Sequence, residues 1–265
     1  MYQNSRPIGV IDSGVGGLTV VRQIQRLLPG EDIIYFGDSA NCPYGNRSAD
    51  EIFELTVRML RMMERRDVKC VAVACNTIST LVDRLRPECP FTLVDIIDCS
   101  AAYIVQEKLP RVGLLATEFT ASSGVYERVI HDRLPDCAVV SRGSPSLAAL
   151  IDRGDFNQSA INEEITAQVD AILDREPVDD LLLACTHFPI VAENFRACFP
   201  QLRLIDPAEQ QAAAVKNLLV YRALTNPQTR GMLTVFTSGE PELYEAVAAR
   251  LGLYGPEFCK KLELS

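Results

Sequence analysis

Two cysteines end apolar runs in matching settings. "VAVACNTIS" (71–79) brings Cys75 to the close of one run, and "LLLACTHFP" (181–189) brings Cys185 to the close of another. In both, Ala-Cys gives way to small polar residues: Asn76-Thr77 after the first, Thr186-His187 after the second. Most cysteines are small buried hydrophobes, and a single one would carry no argument. A repeated setting 110 positions apart points to a shared task. A thiol that opens a helix sits in positive local potential, which favours the thiolate.

The remaining letters narrow that task. Zinc sites want C-x₂-C pairs or several histidines, whereas the chain has no C-x₂-C and only two histidines, His131 and His187. His131 lies in the charged helical stretch "RVIHDRLP" and reads as surface. A thioredoxin-type pair fails on the same missing spacing. A phosphatase-type loop has Arg six residues after its cysteine, and Leu81 and Val191 stand there. A cysteine hydrolase needs one nucleophile and a separate base, which leaves the second thiol without a use. Cys42, Cys70, Cys89, Cys99, Cys137, Cys198 and Cys259 have no paired context and read as structural.

Two thiols can instead divide a proton transfer. Inverting a carbon centre takes a proton from one face and returns another to the opposite face. A thiolate and a thiol on opposite sides do this without rotating the intermediate. An ordinary thiol pKa of ~8.5 puts both protonation states within reach of neutrality. Ser13, Thr77, Thr117 and Thr186 offer hydroxyls to a carboxylate, and Asp12 and His187 are placed to assist at the two thiols. The glycine-rich "DSGVGG" (12–17) matches no nucleotide-phosphate loop. Its tight turn is expected to aim backbone N–H groups at an anion. Most Lys and Arg residues fall in helical or turn segments, so no Schiff-base lysine is signalled. The expected chemistry uses neither cofactor nor metal. A carboxylate-binding protein without turnover is the rival from another class.

These residues need a frame. Apolar runs at 8–12, 32–38, 70–75, 92–97, 111–117, 137–143, 181–185, 202–206 and 232–239 read as buried parallel strands. Helical patterns lie between them, among them 18–28, 49–66 and 161–176. In the second, Ile52, Leu55, Met59 and Met62 recur at the spacing of one helix face. The alternation specifies an α/β fold with helices on both faces of parallel sheets, as one wide sheet or two smaller ones. In such sheets the ligand lies beyond the carboxyl ends of the strands. Asp12-Ser13, Asp38-Ser39, Cys75-Asn76-Thr77, Ala116-Thr117 and Cys185-Thr186-His187 all fall there.

Bulk properties exclude other classes. A net charge of −9 without clustered cations argues against nucleic acid as a partner. No apolar run approaches the ~20 residues of a membrane span. The polar start "MYQNSRP" is no export signal, and nine irregularly spaced cysteines read as free thiols in a reducing cytoplasm.

"IGVIDSGVGGLTV", "YFGDSANCPYGNRS", "ACNTIS", "LLATEFTASSGVY", "ACTHFP" and "LIDPAEQQA" occur in that order along most of the chain. In these motifs the sequence resembles the aspartate/glutamate racemase superfamily, and most of all its bacterial glutamate racemases. The resemblance implies an α/β fold of two similar doubly wound parallel-sheet domains facing across a cleft, commonly in a homodimer. The domains would take roughly 1–98 plus 208–265 and 99–207. It implies a cofactor-independent, cytoplasmic enzyme that acts on a small amino acid and makes D-glutamate for peptidoglycan. By motif, Cys75 and Cys185 are the two acid/bases, Asp12 helping the first and His187 the second. Substrate contacts are implied for Ser13, Pro43, Tyr44, Gly45, Asn76, Thr77, Thr117, Thr120 and Thr186. Asp38 matches an acidic residue near the cleft, and Asp152 stands where the family usually has Glu. Asp98-Cys99-Ser100 replaces a frequent Glu-Pro-Gly, Ser144-Pro145-Ser146 a usual Cys-Pro-Leu, and Ala116 a frequent Gly. The alternative is therefore an aspartate or broad-specificity racemase. A one-cysteine relative such as a decarboxylase is disfavoured by the presence of both thiols.

Overall fold

The computed structural model describes residues 5–154, 156, 159–253 and 256–262. Its strands are β1 (Ile8–Asp12), β2 (Ile33–Gly37), β3 (Cys70–Val73), β4 (Thr92–Asp95), β5 (Arg111–Thr117), β6 (Ala138–Ser144), β7 (Asp180–Ala184), β8 (Arg203–Ile205), β9 (Leu233–Thr237) and β10 (Pro256–Lys261). The helices are α1 (Leu18–Leu27), α2 (Ala49–Arg65), α3 (Asn76–Ser79), α4 (Val82–Leu85), α5 (Ile96–Gln106), α6 (Glu118–Ser122), α7 (Val125–His131), α8 (Leu147–Asp152), α9 (Ser159–Leu173), α10 (Ala192–Cys198), α11 (Pro207–Tyr221) and α12 (Pro241–Leu251).

Every residue of β1, β3 and β7 is buried, as continuous apolar runs require when helices cover both faces of a sheet. Helix α2 starts where Ser48 and Glu51 form a reciprocal capping box. It buries Ile52, Met59 and Met62, while Leu55 is half-buried at the edge of that face. The run read as 92–97 breaks at Asp95, whose carboxylate accepts from Asp98 N and opens α5. Helix α11 carries Gln211, fully buried, whose Nε2 donates to the carbonyls of Val73 and Val94 at 2.9 and 2.8 Å. The returning chain thereby clamps the ends of β3 and β4.

The strands form two sheets, in the orders β10-β9-β2-β1-β3-β4 and β6-β5-β7-β8, with parallel pairing throughout the described residues. The inner order is the same in both: β2-β1-β3-β4 corresponds to β6-β5-β7-β8. In such orders the chain reverses direction across the sheet between the second and third strands, and a crevice opens at their carboxyl ends. Cys75 follows β3 at one reversal and Cys185 follows β7 at the other. The repeated sequence setting is a repeated topological position.

One strand was not expected. β10 pairs with β9 at the outer edge of the first sheet, beyond the nine runs read from sequence. Its letters, PEFCKK, hold only two adjacent apolar residues, too few to read as a buried run. Among the described residues no helix is long and apolar enough to cross a membrane.

Candidate active site

The two crevices face one another and share one small cavity. The first half contributes Ser13, Cys75, Asn76, Thr77 and a lip at Cys42, Pro43, Tyr44 and Gly45; the second contributes Thr117, Ala148, Cys185, Thr186 and His187. The halves nearly touch, leaving about 30 Å³ free. Hydroxyls bridge them: Thr186 Oγ1 donates to Asp12 Oδ2 at 3.1 Å, and Thr77 Oγ1 lies 3.1 Å from Thr117 Oγ1 and 3.3 Å from Thr120 Oγ1.

Cys75 is 5% exposed, with Ser13 Oγ 3.3 Å from its sulfur. Burial pushes this thiol up to about 12, and the nearby Asp12 charge adds to the effect against the hydrogen bond from Ser13. The thiolate preference expected of a helix start is overturned, because α3 is a single turn of four residues and desolvation dominates. Cys75 is a thiol at rest. Asp12, fully buried, is itself raised by burial to about 6; the charge of His187 and donation from Gly14 N at 2.8 Å and Thr186 oppose the rise.

Around Cys185 the arrangement differs. Its sulfur lies 3.7 Å from His187 Nδ1, and His187 Nε2 donates to Asp152 Oδ1 at 2.9 Å. Burial works against a charged imidazole here, but Asp152 and Cys185 override it and hold the pKa of His187 well above its ordinary value. Asp152 ends α8, whose first turn is fixed by Leu147 N donating to Ser144 Oγ, which in turn donates to Glu164 at 2.6 Å. One thiol is thus backed by a carboxyl raised by burial to about 6, the other by a carboxylate–imidazolium pair. A profile of the Asp/Glu/Hydantoin racemase family matches residues 8–215.

The chain belongs to that family. It is an isomerase of the racemase class, and its two parallel-sheet α/β halves match solved glutamate racemases. A glutamate racemase of Thermoanaerobacter pseudethanolicus is 36% identical over 253 residues, which covers 94% of each chain. The crystal structure of the Francisella tularensis glutamate racemase in complex with D-glutamate aligns with a TM-score of 0.90 at 29% identity, covering 98% of both chains. A glutamate racemase isoform of Bacillus anthracis aligns with a TM-score of 0.92 at 28% identity, again over 98% of both.

Within this racemase not every residue implied by the motifs lines the cavity. Asp12, Asp38, Thr120 and Asp152 stand behind its wall. Asp38 accepts from Tyr44 Oη at 2.7 Å, from Asn41 Nδ2 at 3.1 Å and from Ser238 Oγ at 2.5 Å, and so fixes the lip from both ends of the chain. Thr120 sits between Thr77 and Thr117. Cys42, read as structural, does line the cavity; a Cβ at Gly14 would lie 3.5 Å from both its sulfur and the His187 ring. Its place beside Pro43 was the available signal. Ala148 also lines the cavity, and nothing in the letters marked it.

The glycines of 12–17 also serve a different end. Gly14 N donates to the Asp12 carboxylate, so the anion it meets is internal. Gly16 is there for close approach: a Cβ would fall 2.4 Å from Thr186 Oγ1 and 2.7 Å from His187 Nδ1. Gly16→Ala is therefore expected to displace His187 and lower kcat/KM by roughly tenfold or more, since misplacement of about an ångström carries that loss. Kinetics alongside a thermal melt would check it; unchanged kinetics would show that the halves can part without consequence.

Proposed function

We propose that this racemase interconverts L- and D-glutamate, with Cys75 and Cys185 as paired acid and base. The observation that carries the reading is the convergence of two buried thiols on one cavity from equivalent strand ends of facing sheets. Glutamate is favoured as substrate by the names of the relatives and by the D-glutamate complex of one of them.

The proton inventory closes on the chain's own groups. The proton that Cys185 gives up is held on His187, whose imidazolium is steadied by Asp152. The resulting thiolate takes the α-hydrogen from one face of the substrate. The electron pair of that C–H bond passes into the α-carboxylate, where hydroxyl and amide donors of the wall meet the growing charge. Cys75, kept as a thiol by burial, returns its proton to the opposite face. The enzyme is left as Cys75 thiolate and Cys185 thiol, the form that acts on the other enantiomer. The free space of about 30 Å³ is small for an amino acid, so the halves are expected to part as it enters.

The division into 1–98 plus 208–265 and 99–207 belongs to the same proposal, as do a homodimer, a cytoplasmic setting and the supply of D-glutamate to peptidoglycan. The strand membership of the two sheets supports the division. Incubation with L-glutamate in D₂O, with no cofactor added, tests the reading. Loss of optical rotation accompanied by α-deuterium is expected. Exchange with aspartate alone would move the substrate to the alternative class, and no exchange with any amino acid would defeat the proposal.

A further inference from the structure

Asn76 adjoins Cys75 and lines the cavity that Cys185 also enters, yet its amide is satisfied at one end only. Its Oδ1 accepts from the Tyr126 hydroxyl at 2.6 Å, while its Nδ2 is buried with no partner. Asn76 is 2% and Tyr126 1% exposed, so neither group faces bulk solvent. A buried donor without an acceptor leaves the loss of its hydration uncompensated. Packing alone gives no reason to keep such a group beside a reactive thiol. A ligand oxygen does.

Tyr126 has what the task needs. Its ring is fixed in the core, and burial pushes its pKa up, so the hydroxyl keeps a proton to donate. Ser100, beside the same hydroxyl, spends its own proton on the Ile96 carbonyl at 2.6 Å. The phenol's proton is thus the one available to Asn76. The bond also crosses between the halves, because Tyr126 lies on α7, which follows β5 of the second sheet, and Asn76 opens α3, which follows β3 of the first.

We infer that Tyr126 is a positioning residue for the racemisation: by occupying Asn76 Oδ1 it presents Nδ2 as a free donor to the substrate carboxylate once the halves have closed. This rests on the two-thiol reading above. The donor meets a carboxylate that gains charge as the α-proton leaves, so its contribution is greater in the transition state than in the bound substrate. Both enantiomers share that carboxylate, and both directions depend on the amide.

The test is a double-mutant cycle of Tyr126→Phe and Asn76→Ala, read by kcat and KM in each direction. Y126F keeps the ring and is expected to lower kcat/KM about tenfold both ways, mostly in kcat, with the melting temperature little moved. In the N76A background the same change should add nothing, since the phenol would then have no amide to orient. Losses that multiply, or a Y126F enzyme with wild-type kinetics, would overturn the inference. Should Y126F melt early, Asn76→Asp decides, because it keeps an acceptor for the phenol and removes the donor. N76D should match N76A in activity, and wild-type turnover by N76D would equally refute the assignment. Wild-type turnover of glutamate reports separately on the function; its absence would remove the two-thiol reading and this inference with it.

Discussion

Cys75→Ala and Cys185→Ala are each expected to lose about 10³-fold or more in racemisation while still exchanging the α-hydrogen of opposite enantiomers. Racemisation in either direction needs a base on one face and an acid on the other, so either loss stops both directions. Partial exchange is different. With Cys75 gone, the thiol at Cys185 still reaches one face and can remove and return hydrogen there without inversion. Deuterium should then enter one enantiomer from D₂O with retention. The complementary variant should label the other. The folds should survive, since each thiol is small and its loss leaves a cavity of about one atom, worth roughly 1 kcal/mol. Following deuterium in L- and D-glutamate separately, by mass spectrometry after chiral resolution, reads the pattern directly. If one variant loses all exchange and the other keeps full racemisation, a single base serves both faces and the paired mechanism is wrong.

Much of this arrangement was legible because parallel strands buried on both faces leave continuous apolar runs that end abruptly. Cys75 and Cys185 were visible as the letters at which two such runs stop, and the sheet order turns that coincidence into equivalent crevices. The sign of the effect on Cys75 was not legible. Sequence marks a helix start but not the depth of burial, and at full burial desolvation outweighs one turn of helix. Links across long separations were silent as well. Ser238 donates to Asp38 from 200 residues away, and Tyr126 reaches Asn76 over 50; neither leaves a periodic or compositional trace. Asp152 was named from the motif, but its bond to His187 depends on how α8 packs against the turn after β7. β10 was missed for a simpler reason: in PEFCKK only Phe258 and Cys259 are adjacent apolar letters, too short a run to mark a strand.

Asp12→Asn is expected to cut kcat/KM about 10²-fold and at the same time to make the protein more stable at pH 8. The carboxyl is wholly buried and holds its proton up to about 6, against 3.8 when exposed. Below about pH 4 both folded and unfolded chains keep that proton, and the group does not bear on stability. As the pH rises toward 6 the unfolded chain releases its proton first, so wild-type stability falls. Above 6 both states are ionised and the whole penalty is present, about 3 kcal/mol for a rise from 3.8 to 6. D12N cannot ionise and escapes it. The side chain keeps its contacts, with Oδ1 accepting from Gly14 N and the new amide donating to Thr186 Oγ1. The gain should therefore be largest at pH 8, a rise in melting temperature of roughly 5 °C or more, and should vanish near pH 4. Activity moves the other way, because a neutral amide next to Cys75 can no longer take up and release a proton as the thiol changes state. A D12N protein no more stable than wild type at pH 8 would mean that the bonds from Gly14 and Thr186 fully offset desolvation. Asp12 would then be an ordinary carboxylate, and its place behind Cys75 would have to act through geometry alone.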